Sequence, residues 1–392
     1  MVDDSFVISR SQTRHDKTVI LKSLFFHLRL PDCPKIKPNW LNFIMKKLNH
    51  LAAVLLGIGL LAGNAFAQTD TPYKVLDTTQ LMGNGGIDYV YADNDGRRVY
   101  VPRGGNTFVF DLDSHKYIGS ITNVGGHGVA IDTAAHHGIC SGNPPSLFDT
   151  ETMQKLKSID VQGRPDGILL EPLTDRICIL SHESPSITMI DPKDGTVTGI
   201  VDVGGAMEQA QSDGQGKLYV DVEDEKKIAV VDVKALKVIT KYDLGDNAGE
   251  PGGLGLDVKN HILFAMCANP GVCVVVNADD GKVLATLPIG NGTDGGGFNS
   301  NTMEAWSSQR DGTLTIIKES SPTSFAVEQT VQTKAGCKTS SLDTKNNHIV
   351  LICTERLPGA PTPAPATNAP AGQRRGGGRG GPGNLDVLWV GR

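Results

Sequence analysis

From residue 72 onward the chain alternates short apolar β-type runs with turns rich in glycine, asparagine and aspartate. The alternation itself recurs, and an internal period decides the fold before any single strand does. One acidic or amide residue opens a turn after a small or apolar run at Asp93, Asp132, Glu171, Asp213, Asp257, Asn299 and Asp343, spaced 39 to 44 residues apart. A second β-like run follows each one, for example Val99-Tyr100-Val101, Ile177-Cys178-Ile179 and Ile262-Leu263-Phe264. A third run ends on Asp111, Asp149, Asp191 or Asp232, and a fourth follows, as in Val283-Leu284-Ala285-Thr286-Leu287. Four short strands per unit of this length are the arithmetic of a propeller blade.

The pattern therefore predicts an all-β, seven-bladed β-propeller with four antiparallel strands per blade. The seventh unit stops at its third strand, Asp386–Val390, and the missing fourth is available at the other end as Lys74–Gln80. Pairing the two closes the ring and removes two sheet edges, whereas an open solenoid leaves both ends uncapped. One interruption stands out: residues 358–383 are Pro-rich and then Gly/Arg-rich, a composition that cannot bury a core and reads as a disordered loop inside blade seven.

Composition adds the compartment. Lys46-Lys47, an apolar run from Leu51 to Gly63 and Ala65-Phe66-Ala67 form a positive, hydrophobic and A-x-A series, so residues 45–67 read as a signal peptide cleaved after Ala67. The run is shorter than the roughly 20 residues of a membrane span, so no stable insertion is expected after cleavage, and residues 68–392 would be periplasmic or extracellular. Residues 1–44 lack this logic and read as an over-extended gene start, a non-native or unstructured extension. The expected mature body carries 28 basic and 39 acidic residues, a net −11 against −6 for the whole chain. Such a body repels a phosphate backbone, and 5% aromatic content offers little stacking surface, which together disfavour nucleic acid.

Six cysteines fall in that body, and export permits disulfides. Cys267 and Cys273 flank a turn, and Cys337 and Cys353 lie on two successive β-like runs, which makes both pairs disulfide candidates. No C-x-x-C or C-x-x-C-H occurs, and no G-x-S-x-G, so a thioredoxin-like centre, attached c-type haem and a hydrolase nucleophile elbow are absent from the sequence.

Candidate chemistry follows from the repeat. Five residues before each turn-opening residue stand Asp88, His127, Asp166, Glu208, Gly252, Asp294 and Lys338, six of them titratable. Glu250, two residues ahead of Gly252, is the candidate from blade five. At the head of the innermost strands these side chains would ring one mouth of the central channel, where propellers hold ligands. Crowded carboxylates would attract a cation; oxygen-rich ligation suits Ca²⁺ or Mg²⁺, and His127 tilts the set toward a softer metal.

Residues 204–238 (GGAMEQAQSDGQGKLYVDVEDEKKIAVVDVKALKV), 281–290 (GKVLATLPIG), 311–315 (DGTLT) and the ending VLWVGR at 387–392 resemble exported bacterial YVTN-repeat, YncE-like seven-bladed propellers. The resemblance spans roughly residues 72–392 and implies the propeller fold, export and, for some relatives, DNA binding. Where family members often carry Cys-Glu-Glu-Pro, this chain has Ala248-Gly249-Glu250-Pro251. Three functions stand: a scaffold binding a small molecule or protein at the channel mouth, a metal-dependent lactonase-like hydrolase using channel carboxylates, and single-stranded DNA binding.

Overall fold

The computed structural model describes residues 71–184, 186–356 and 381–392. The 1–44 extension, the 45–67 signal segment and nearly all of the 358–383 loop lie outside the described residues.

Seven antiparallel sheets of four strands each account for the described β-structure. The innermost strands are Tyr91–Asp93, Val129–Asp132, Pro165–Glu171, Met207–Ser212, Pro251–Asp257, Thr293–Asn299 and Thr339–Asp343. Each packs against the innermost strands on either side of it, and the last packs against the first, which closes a ring. The apolar core lies between successive sheets. Trp389, Val350 and Ile352 of blade seven, for instance, share one buried cluster with Val99, Val101 and Phe110 of blade one.

The period has a local cause that repeats seven times. The side chain of each turn-opening residue accepts a backbone N–H two or three residues ahead: Asp93 from Gly96 at 2.9 Å, Asp132 from Ala135 at 3.2 Å, and Glu171 from Thr174 at 2.9 Å. Asp213, Asp257, Asn299 and Asp343 do the same. The turn then leaves through a left-handed residue, Arg97, His136, Asp175, Gly216, His261, Met303 or Asn347, all with positive φ. Short acidic or amide side chains that satisfy their own turn are what this geometry selects. Asp111, Asp149, Asp191 and Asp232 cap the later turn of their blades in the same manner.

Closure is achieved by the first strand of the propeller. Lys74–Gly83 pairs with Gly383–Gly391 from Lys74↔Gly391 to Gly83↔Gly383 and forms the outer edge of blade seven. One detail shows that it is a true fourth strand. In every other blade the outermost pair contains a one-residue bulge, such as Ile118 skipped between Tyr117 and Gly119 or Ile239 skipped between Val238 and Thr240. The closing strand has its bulge at the equivalent place, with Leu76 skipped between Val75 and Asp77. A bulge raises local twist, so repeating it at one depth fans all seven blades alike.

Both sides of the seam are tied. The buried Arg103 guanidinium of blade one donates to the carbonyls of Leu81, Gly83 and Gly85 and to that of Gly383 in blade seven. On the other side, Tyr73 donates its hydroxyl to Glu304 of blade six at 2.7 Å, and Gln329 Nε2 donates to the Tyr73 carbonyl.

Three expectations are corrected. The insertion ends sooner than 383, because Gly383 already pairs with Arg356 and Gly83. Cys267 and Cys273 do not form a disulfide. The register sets Cys267 opposite Val272 and Met266 opposite Cys273, so the two sulfurs project from opposite faces of the sheet into different clusters. Cys337 and Cys353 do share a cluster, with the Cys353 thiol hydrogen-bonded to Cys337, and both are free thiols. That contact, together with burial, pushes the Cys337 pKa up.

Candidate functional site

The innermost strands all begin at the same end of the channel, and a counted offset on each therefore brings residues far apart in sequence to one mouth. Six of the seven sequence candidates meet there. Lys338 Nζ bridges Asp294 Oδ2 and Asp88 Oδ1, the latter at 2.7 Å. Asp88 Oδ2 accepts from His127 Nδ1 at 2.7 Å, and the same nitrogen lies 3.4 Å from Asp166 Oδ1. The arrangement is a continuous arc running from blade six through seven, one, two and three to four.

Two residues that complete the arc escaped the sequence count. His182 places Nε2 at 2.8 Å from Asp166 Oδ2 and 3.2 Å from Glu208 Oε1. Tyr89 donates its hydroxyl to Glu208 Oε2 at 2.8 Å, reaching across the channel from blade one to blade four. His182 follows the second strand of blade three (Arg176–Ser181), because loops joining second to third strands overhang the same mouth as the heads of the first strands. Arg310, 3.5 Å from Asp294, follows the second strand of blade six for the same reason. Applying the count at those loops would have found both.

Blade five departs from the pattern. Glu250 precedes its innermost strand, and its carbonyl accepts from the Ala268 N–H at 2.8 Å, while the contacts above run round the other six blades. Gly252 holds the register position, and a Cβ on the next residue, Gly253, would stand 2.7 Å from the Gly295 carbonyl carbon. Gly253 and Gly255 lie against the blade-six backbone, Gly295 against that of blade seven, and Gly296 and Gly297 against Met266 and Trp306, so these glycines are packing residues, not a phosphate cradle.

Burial and charge set the protonation of the arc. Burial works to raise the Asp88 pKa, but the His127 hydrogen bond and the Lys338 charge prevail and hold it well below the usual carboxylate range. Burial raises Asp166, which also faces Asp88 and Glu208. Burial opposes protonation of His182, yet Asp166 and Glu208 outweigh it and shift that imidazole upward. Arg164 lies against His182 Nδ1, while Nε2 faces the two carboxylates. The Tyr89 hydroxyl is pushed far up by burial and by Glu208, so it stays a donor.

The arc opens inward onto a channel cavity of about 430 Å³, lined by Tyr89, Gly128, Gly167, Glu208 and Ser340 among others. Gln209 crosses the channel, accepting from the Leu254 N–H at 2.9 Å and donating to Gly296 O at 3.1 Å. A second, shallower hollow of about 490 Å³ adjoins the arc at blades five and six and is lined by Asn269, Asn291, Thr293, Asp294 and Arg310.

No protein-family model matches the chain, and no curated protein matches it. Solved structures do. A chain in the crystal structure of the mitotic checkpoint complex is similar over 74% of this chain and 92% of its own, at 13% identity and a TM-score of 0.61. The structure of U3-55K is similar over 81% of this chain and 99% of its own, at 10% identity and a TM-score of 0.62. At such identities the likeness is one of fold. The chain is a seven-bladed β-propeller. With 1619 solved chains matching, the propeller by itself selects no activity.

Proposed function

We propose that this chain is an exported YVTN-repeat, YncE-like propeller that works as a binding protein, holding a small polar molecule or a protein segment at the channel mouth. The observation that carries this reading is the arc itself. Six blades each deliver an ionisable side chain to one rim, above a cavity and beside a polar hollow, although nothing in blade packing requires charge at that depth. Buried ion pairs are weak evidence for stability, since desolvation offsets much of their attraction. Side chains that cost stability and converge on an opening are the signature of a site.

The acidic body supports cationic or neutral partners over nucleic acid. The propeller taken from a mitotic checkpoint complex sits within an assembly, in keeping with a scaffold role for such a fold.

Two measurements test this reading. Intact mass of the exported species is expected to begin at Gln68, and a species retaining residues 45–67 would contradict export by cleavage. For binding, the chelator-treated chain is melted with dicarboxylates, amino acids, sugars and short basic peptides in turn. A ligand at about 100 times its Kd adds about 2.7 kcal/mol, which raises the midpoint by several degrees. The rise is expected for one class, lost in Lys338→Met and Asp294→Asn and retained in Glu151→Gln at a distant exposed turn. Shifts that persist in the mouth variants, or none from any class, would overturn it.

A further inference from the structure

Two groups of one imidazole and two carboxylates meet in the arc, Asp88–His127–Asp166 and Asp166–His182–Glu208, and the first holds the donor-less Asp166 Oδ1 beside His127. Asp88, His127 and Asp166 come from blades one, two and three, and one ligand atom of each lies within 4.8 Å of those of the other two. The Asp88 and Asp166 side chains are each 7% exposed, that of His127 24%. Nδ1 of His127 has one hydrogen to give, and Asp88 takes it. Asp166 Oδ1, buried and aimed into the triad, accepts no hydrogen bond, although its partner oxygen Oδ2 faces His182 Nε2. A buried carboxylate oxygen without a donor is costly, the more so when it is charged.

An ion that displaces the Nδ1 proton of His127 into solvent removes that cost, because the freed nitrogen and the donor-less oxygen both become ligands. We propose that Asp88, His127 and Asp166 bind one divalent first-row transition ion, Mn²⁺ or Zn²⁺ in preference to Ca²⁺, as a one-histidine, two-carboxylate face. Cis ligands on an ion with bonds of about 2.1 Å stand about 3.0–3.4 Å apart, close to the 2.7 and 3.4 Å edges measured from His127 Nδ1. An imidazole nitrogen among only two carboxylates is a poor cage for Ca²⁺, which takes six to eight oxygens.

The surroundings are those of a metal ligand set. Lys338 donates to the far oxygen of Asp88, and His182 stands at hydrogen-bond distance from the far oxygen of Asp166, so each carboxylate keeps one oxygen for the ion. Outer partners of this type orient ligands and raise affinity. Glu208 is engaged by Tyr89 and His182 and stands outside the triad. His127 is the most exposed of the three, so oxygen atoms of a ligand bound at the mouth would reach the ion from its side. The inference rests on the mouth as a binding site and names an ion as part of what it holds.

The purified full chain, stripped with chelator, is dialysed against Mn²⁺, Zn²⁺ or Ca²⁺ and titrated by calorimetry. One Mn²⁺ or Zn²⁺ per chain is expected, with Ca²⁺ at least about 100-fold weaker. Asp166→Asn and His127→Gln should each weaken Mn²⁺ by about 100-fold or more, His182→Gln by about 10-fold, and Glu151→Gln not at all. Melting in chelator identifies any variant that fails to fold. Independently of variants, the Mn²⁺ spin-echo spectrum of the wild-type chain should show imidazole nitrogen. Absence of stoichiometric metal, a spectrum without nitrogen, or undiminished affinity in folded Asp166→Asn would overturn the proposal. The chelator-treated ligand panel separates the two readings: a ligand found there with no metal found here removes the ion and leaves the mouth.

Discussion

A chain lacking residues 71–83 is expected to lose cooperative folding. The deletion removes nine paired positions from the edge of blade seven, the Tyr73 contacts to blade six and two or more of the carbonyls that hold Arg103. At about 1 kcal/mol net for each ladder bond, before any apolar area is counted, the loss is roughly 5 kcal/mol or more. That is comparable with the whole stability of a typical domain, about 5–15 kcal/mol. The architecture supplies its own rescue. Lys74 pairs with Gly391 in antiparallel register, so a short linker from Arg392 into residues 72–83 would make the outer pair of blade seven a continuous hairpin. This permuted chain should melt cooperatively, within a few degrees of the parent, by circular dichroism. A cooperative melt of the deleted chain at the parent's midpoint would refute closure by this strand.

Replacement of Arg103 should be the most damaging single change at the seam. Its guanidinium is 1% exposed and answers four backbone carbonyls, from the closing strand, the loop that follows it and the third strand of blade seven. Burial lowers its pKa without making it neutral. Arg103→Met would leave several buried acceptors without donors, a loss of about 3–5 kcal/mol in denaturant unfolding. Arg103→Lys should recover little, because a point ammonium cannot span the fork of acceptors that a planar guanidinium reaches. A loss under about 1 kcal/mol for Arg103→Met would show that the carbonyls find other donors.

The fold was legible in the sequence because its period is written in residues with a local job. Asp93, Asp132, Glu171 and their equivalents are retained by hydrogen bonds within single turns, so they recur wherever the turn does. Once the period is known, a fixed offset on each innermost strand must land at one depth in the channel. This is why Asp88, His127, Asp166, Glu208, Asp294 and Lys338 could be named together.

What the offset could not supply was anything on a different loop or in a different register. His182 reaches the mouth from a second-to-third strand loop, and Tyr89 reaches Glu208 only because the channel is narrow enough to cross. Glu250 was counted in a blade whose position is held by Gly252, where backbone approach, not polarity, governs the choice of residue. The Cys267–Cys273 pairing failed on parity: a one-residue diagonal offset across a hairpin turns two neighbours to opposite faces. The ion we propose differs from the calcium that a ring of carboxylates suggests, because Asp88, His127 and Asp166 set an imidazole beside two carboxylates.

The mouth site is tested most directly by crystals of the chain grown with Mn²⁺ and measured at the manganese absorption edge. A single anomalous peak bonded to Asp88, His127 and Asp166, with Lys338 and His182 on the outer oxygens, is the predicted result. A seven-bladed ring with no peak at that position, and with Asp166 Oδ1 satisfied by a protein hydrogen-bond donor, would contradict it.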